Sequence, residues 1–204
     1  FPKYNLPRLL LNTMSRIMPT FLFTSMGYAS AAGFFSMSYR VIGAPSSILS
    51  NAASRVNYQL NAEIRSKDKK MIPTLKDNLK KLILIGLPIF ITIYLTAPFL
   101  FGQIFGESWA EAGWYAQVLV PWLFVMFLTS PLAPILTVLK LQDVTLKYDI
   151  VLFIARVLAI LAPIIIFDNI EMSVISFSII GFMFNSWLLF FIFKTVKKYD
   201  EVYG

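Results

Sequence analysis

Six long apolar stretches separated by short polar ones set what this chain can fold into. They run at about Leu9–Met26, Ala31–Asn61, Leu79–Phe101, Gly113–Leu139, Leu146–Phe167 and Met172–Phe193. About 20 apolar residues, rising 1.5 Å each, carry a helix across the hydrocarbon of a bilayer. The pattern predicts an all-α integral membrane protein with six transmembrane helices. Composition agrees: 57% of the 204 residues are hydrophobic and only 14% charged, whereas soluble domains carry about 25% charged residues. There is no cysteine and no histidine. Disulfides, thiol chemistry, histidine bases and the commonest metal sites are therefore outside this chain's means, and no cofactor is expected.

The charges sort by side. Lys3 and Arg8 precede the first stretch, and seven basic residues from Arg65 to Lys81 separate the second from the third. Lys140 and Lys147 separate the fourth from the fifth, and Lys194, Lys197 and Lys198 follow the sixth. The opposite loops, GYASA, FGQIFGESWAEAG and FDNIEM, contain no Lys or Arg but hold Glu107, Glu111, Asp168 and Glu171. This is a positive-inside pattern with both ends of the segment cytoplasmic. It accounts for the net charge of +7 without nucleic acid as a partner. The linker IRSKDKKMIPTLKDNLKK reads as a solvated connector beside anionic membrane lipids. The opening FPKYNLPRLL has neither an initiator Met nor a signal-peptide pattern, so the chain is expected to begin inside a larger protein.

The second stretch is long enough to span, yet polar along one side. On a helix Ser36, Arg40, Gly43, Ser47, Ser50, Asn51, Ser54, Arg55 and Tyr58 fall within roughly 80° of Arg40. At about 45 Å it must tilt, bend at Pro45 or project. Four basic residues, Arg16, Arg40, Arg55 and Arg156, lie inside apolar stretches. Each costs about 2.5–3.5 kcal/mol at a helix centre, and such residues face a cavity or a partner. No carboxylate is placed deep enough to pair with them. Asp149 comes nearest, two turns before Arg156 and near the start of its stretch. Unpaired arginines suit a ligand that brings the negative charge, and the guanidinium fork suits phosphate in particular. Asn12, Ser15, Arg16 and Thr20 share a face whose amide and hydroxyls suit sugar or water.

Prolines recur within the stretches, and Ser130-Pro131-Leu132-Ala133-Pro134 is expected to bend the fourth. Gly102 and Gly106 read as a loop rather than a dimer face. Trp109, Trp114 and Trp122 fit an outer aromatic belt.

The pattern Ala32-Gly33, Tyr39-Arg40-Val41, Pro45, Ala52, Val56, Tyr58-Gln59 resembles the Wzx-type oligosaccharide-lipid flippases. These belong to the multidrug/oligosaccharidyl-lipid/polysaccharide exporter superfamily. Phe101-Gly102, Gly106-Glu107-Ser108-Trp109 and Ala112-Gly113 resemble the loop after their ninth helix, and Leu139-Lys140-Leu141-Gln142 the turn after their tenth. The resemblance implies a MATE-like C-terminal lobe, residues 1–204 as helices seven to twelve, with the first lobe outside this segment and its partner. It implies a bacterial inner-membrane protein that flips an undecaprenyl-pyrophosphate-linked oligosaccharide for surface polysaccharide, and not an enzyme. Arg16, Arg40, Arg55 and Arg156, with Asn12, Tyr39 and Asn51, would then line a cationic lumen. The arginines would act as a relay: Arg55 on arrival, Arg16 and Arg156 midway, Arg40 near exit. Two other readings stand beside it. A drug or cation antiporter of the MATE branch would want acidic walls and a deep carboxylate. A membrane glycan polymerase or ligase would want a large outer loop and an acid–base pair.

Overall fold

A computed structural model describes residues 2–43 and 70–203, and among them every regular element is helical. The elements are α1 (Pro2–Ser25), α2 (29–43), α3 (Met71–Phe105), α4 (Ala110–Thr129), α5 (Pro134–Val138), α6 (Gln142–Phe167) and α7 (Ile170–Tyr203), with a short 3-10 turn at Glu107–Trp109. Each apolar stretch is helical where it is described, and α3 begins at Met71, inside the linker expected to be a solvated connector. Pro45, Asn51, Arg55 and the rest of the second stretch lie outside the described residues.

Four segments are long and apolar enough to cross a membrane: Met71–Phe105, Glu107–Val138, Gln142–Phe167 and Ile170–Val202. The chain is a multi-pass membrane protein. Helix α1 has 24 residues, about 36 Å and so enough length, but Asn12, Arg16 and its threonines dilute its apolar character. The outward faces are oily, as lipid requires. Leu84 is 65% exposed, Leu95 68%, Phe99 68% and Ile165 71%, a surface that water would penalise and hydrocarbon does not.

The fourth stretch breaks where Pro131 and Pro134 lie. Helix α4 stops at Thr129, and α5 restarts with Pro134 in its first turn, where a missing N–H costs nothing. The other prolines, Pro7, Pro19, Pro88, Pro98, Pro121 and Pro163, sit inside continuous helices. Gly106 ends α3 with φ +98°, and its N–H donates to the Gly102 carbonyl. The glycine pair is therefore a helix terminus, and a left-handed φ explains the second glycine.

Two cores hold the bundle. The larger is built around Phe35, Leu119, Trp122, Leu123, Ile160 and Phe177. The smaller joins Met71 and Leu75 of α3 to Leu132, Ile135, Ile192 and Val196. Small residues let helices approach closely, as in membrane bundles generally. A Cβ on Gly113 would lie 2.4 Å from Pro98 Cα and 2.7 Å from the Ala97 carbonyl oxygen of α3. Hydroxyls cross between helices as well: Ser38 bonds the Ala112 carbonyl, Ser173 that of Ile160 and Ser178 that of Val118.

Three contacts fix which ends meet. Near the starts of α1 and α6, Arg8 Nε donates to Asp149 Oδ2 at 2.8 Å. Beyond their ends, Tyr28 donates its phenol proton to Asp168 Oδ1 at 2.7 Å. Helices α1 and α6 therefore run the same way. At the starting end Asp200 of α7 accepts from the backbone N–H groups of Met71 and Ile72, at 2.9 and 2.8 Å. It satisfies donors that the start of α3 leaves open and places a negative charge at the positive helix end. The basic segments among the described residues thus gather at one end. Tyr28, Glu111, Asp168 and Glu171 gather at the other, around a cavity of about 600 Å³. The charge segregation read from the sequence is a property of the folded molecule.

Candidate functional site

Three of the four arginines inside apolar stretches are described, and they form one layer. Arg16 precedes the end of α1 at Ser25 by nine residues, Arg40 follows the start of α2 at 29 by eleven, and Arg156 precedes the end of α6 at Phe167 by eleven. At 1.5 Å per residue each lies roughly 14–17 Å below the acidic end, about half the thickness of a hydrocarbon core. This differs from the expected relay, which put Arg40 nearer the exit. The relay ordered Arg40 against Arg55 along one long stretch, and that order does not set Arg40 against Arg16 on another helix.

Within the layer the arginines have different surroundings. Arg16 and Arg40 are exposed, and no described residue pairs with either as an acid. Arg156 is 5% exposed. Its guanidinium carbon lies 4.6 Å from the centroid of the Trp122 ring and 5.1 Å from that of Phe177. A cation over an aromatic face gains about 0.5–2 kcal/mol, more when dry. Nε of Arg156, Nε1 of Trp122 and the hydroxyl of Tyr148 are buried with no hydrogen-bond partner among the described residues. The expected lumen-lining Arg156 is therefore wedged between helices, with its charge held by π faces. Trp122, expected in an outer aromatic belt, is 1% exposed and forms the floor of this wedge.

Tyr39 belongs to the same cluster. Its half-buried ring stacks on Trp122 at 5.8 Å and on Phe35 at 6.3 Å. Phe35 in turn meets Phe177 edge-on at 5.5 Å. Helices α2, α4, α6 and α7 thus converge on one aromatic cluster around one guanidinium. Arg16 and Asp149 are both within electrostatic range of it. Asn12 is half-buried, and its amide donates to the Arg8 carbonyl at 3.0 Å, so it bonds its own helix. Ser15, which shares the face of Arg16, is 4% exposed. Asn51 and Arg55 lie outside the described residues.

The pairing of Arg8 with Asp149 is the contact sequence reasoning missed. Asp149 is 7% exposed and Arg8 25%, so a buried carboxylate does exist, and it already has a cation. The partners are 141 residues apart, and no local spacing signals the pair. At the acidic end the Asp168 carboxylate accepts the Tyr28 phenol proton. That bond first, then desolvation and the carboxylate charge, raises the Tyr28 phenol above its usual 10.0. Asp168 has φ 49°, a left-handed conformation that Asp tolerates better than most residues.

Residues 1–113 match the family described as polysaccharide biosynthesis protein. The chain belongs to this family. The match covers α1, α2 and α3 and reaches the first turn of α4, including Arg16, Tyr39 and Arg40. No curated protein and no solved structure matches the chain.

Proposed function

We propose that this family member is a flippase. It moves an anionic, lipid-linked oligosaccharide, of the undecaprenyl-pyrophosphate type, across the bacterial inner membrane for surface polysaccharide. The observation that carries this reading is the pair Arg16 and Arg40: two exposed guanidinium groups at one mid-membrane depth, with no acidic partner among the described residues. In hydrocarbon such groups are unfavourable by several kcal/mol, so they suit a water-filled cavity into which a ligand brings its own negative charge. Family membership in polysaccharide biosynthesis supports a glycan as the cargo. A pyrophosphate is read well by planar guanidinium forks, while the polyprenyl tail stays in lipid.

No bond is made or broken in this mechanism. The six-helix lobe rocks against a second lobe supplied by the rest of the protein, and the arginine layer is exposed to one side and then the other. Arg40 works at the level of Arg16, so the two act together at mid-depth. Tyr39 and Arg156 support that wall from behind. Arg55 and Asn51 keep, in this reading, the role the polar stripe suggests. The cation-antiporter reading needs a free deep carboxylate, and Asp149 is bound to Arg8. The test is surface-glycan export by the full-length protein carrying Arg16→Ala and Arg40→Ala. Export should be lost at normal protein levels, and undiminished export would refute the reading.

A further inference from the structure

Between α6 and α7, toward the basic end, runs a groove of about 490 Å³, within the range of ligand clefts. Its walls are Val144, Tyr148 and Val151 on one helix and Met183 and Trp187 on the other, with Lys147 among them. The wall carries a continuous row of near-parallel rings. Tyr148 stacks on Trp187 at 5.7 Å and 10°, and Trp187 on Phe191 at 5.3 Å and 9°. Such a wall suits the side of an extended hydrocarbon chain.

The charge lies in the half nearer the basic end, with Lys147 one turn from Val144, where the lining begins on α6. Lys147 is exposed, and Lys194, also exposed, follows Trp187 by seven residues and so shares its face of α7. Asp143 lies one turn before Lys147, and no ion pair joins them among the described residues. The other flank of α7 repeats the design: a cavity of about 460 Å³ lined by Leu79, Ile83, Leu84 and Phe193 has Lys76 and Lys80 at its edge. At the opposite end of the molecule the cavity is lined by Glu111, Asp168 and Glu171 and by no lysine. Apolar grooves whose lysines lie in the half nearer one end of the molecule are complementary to a lipid whose phosphate lies at that end.

We propose that the α6–α7 groove seats an anionic glycerophospholipid of the leaflet at the basic end. One acyl chain lies along Trp187, and the phosphate is held by Lys147 with Lys194. Basic pockets between membrane helices bind anionic headgroups through the same chemistry. The site is separate from the arginine layer and does not depend on the flippase reading.

The test uses the full-length protein in liposomes containing phosphatidylglycerol or phosphatidylcholine with brominated acyl chains, which quench nearby tryptophan. Trp187→Phe identifies the Trp187 share of the fluorescence. Phosphatidylglycerol should occupy the groove better than phosphatidylcholine by about five-fold for each of the two lysines, the contribution of one lysine at a membrane surface. Lys147→Gln and Lys194→Gln should each lower the preference about five-fold, and the double variant should abolish it. Equal quenching by the two lipids would mean an annular contact only and would overturn the proposal. So would a preference left undiminished by Lys147→Gln, or displacement of the brominated lipid by one equivalent of a polyprenyl diphosphate.

Discussion

The Arg8–Asp149 pair is asymmetric, and the asymmetry can be measured. Asp149 is 7% exposed and Arg8 25%. Arg8→Met leaves a carboxylate buried without its cation. Breaking a buried pair from one side costs about 3–5 kcal/mol, and the partial exposure of Arg8 points to the lower end, about 3 kcal/mol. Asp149→Asn keeps an acceptor oxygen opposite Arg8, whose stem can carry the charge toward the headgroups, so its cost is about 1 kcal/mol. With the carboxylate gone, adding Arg8→Met should cost little more. The double variant is then more stable than Arg8→Met alone by about 2 kcal/mol. The assay is reversible unfolding of the three variants in one detergent at neutral pH, read as a double-mutant cycle. Two results would refute the reasoning: additive effects within about 0.5 kcal/mol, or Asp149→Asn as damaging as Arg8→Met.

Gly113→Ala should be severe for one methyl, because the new Cβ meets backbone atoms of α3 at 2.4–2.8 Å. A loss of about 1–3 kcal/mol is expected as a lower melting temperature, with Gly102→Ala as the mild control. Arg156→Lys keeps the charge but loses the planar stack on Trp122 and Phe177; thermal unfolding should show a loss of about 1–2 kcal/mol. The Tyr28–Asp168 bond should hold at neutral pH, since the raised phenol stays protonated there. Its contribution is full below pH 10.0, the usual tyrosine value, and fades as pH rises through the elevated one. An ultraviolet titration of the protein against Tyr28→Phe measures this, and Asp168→Asn should bring the phenol back down.

What was legible in the sequence is what depends on local pattern. Hydropathy over about 20 residues marks the four spanning segments, because the cost of placing polar groups in hydrocarbon acts on each segment separately. Loop charge sorted the ends, and the folded chain gathers Tyr28, Glu111, Asp168 and Glu171 at one of them. The break at Pro131 and Pro134 followed from a missing donor and a fixed φ. The arginines declared themselves by their unfavourable setting.

Which of those arginines faces open space and which is walled in was decided by tertiary structure alone. Arg16 and Arg156 read alike in sequence, central and unpaired, yet one is exposed and the other lies between Trp122 of α4 and Phe177 of α7. Asp149 lies two turns before Arg156 on its helix, and nothing local shows that Arg8, 141 residues earlier, reaches it. A residue's environment in a helical bundle depends on which helices meet and at what depth. Helical periodicity gives the face a side chain occupies but not the helix that will cover it.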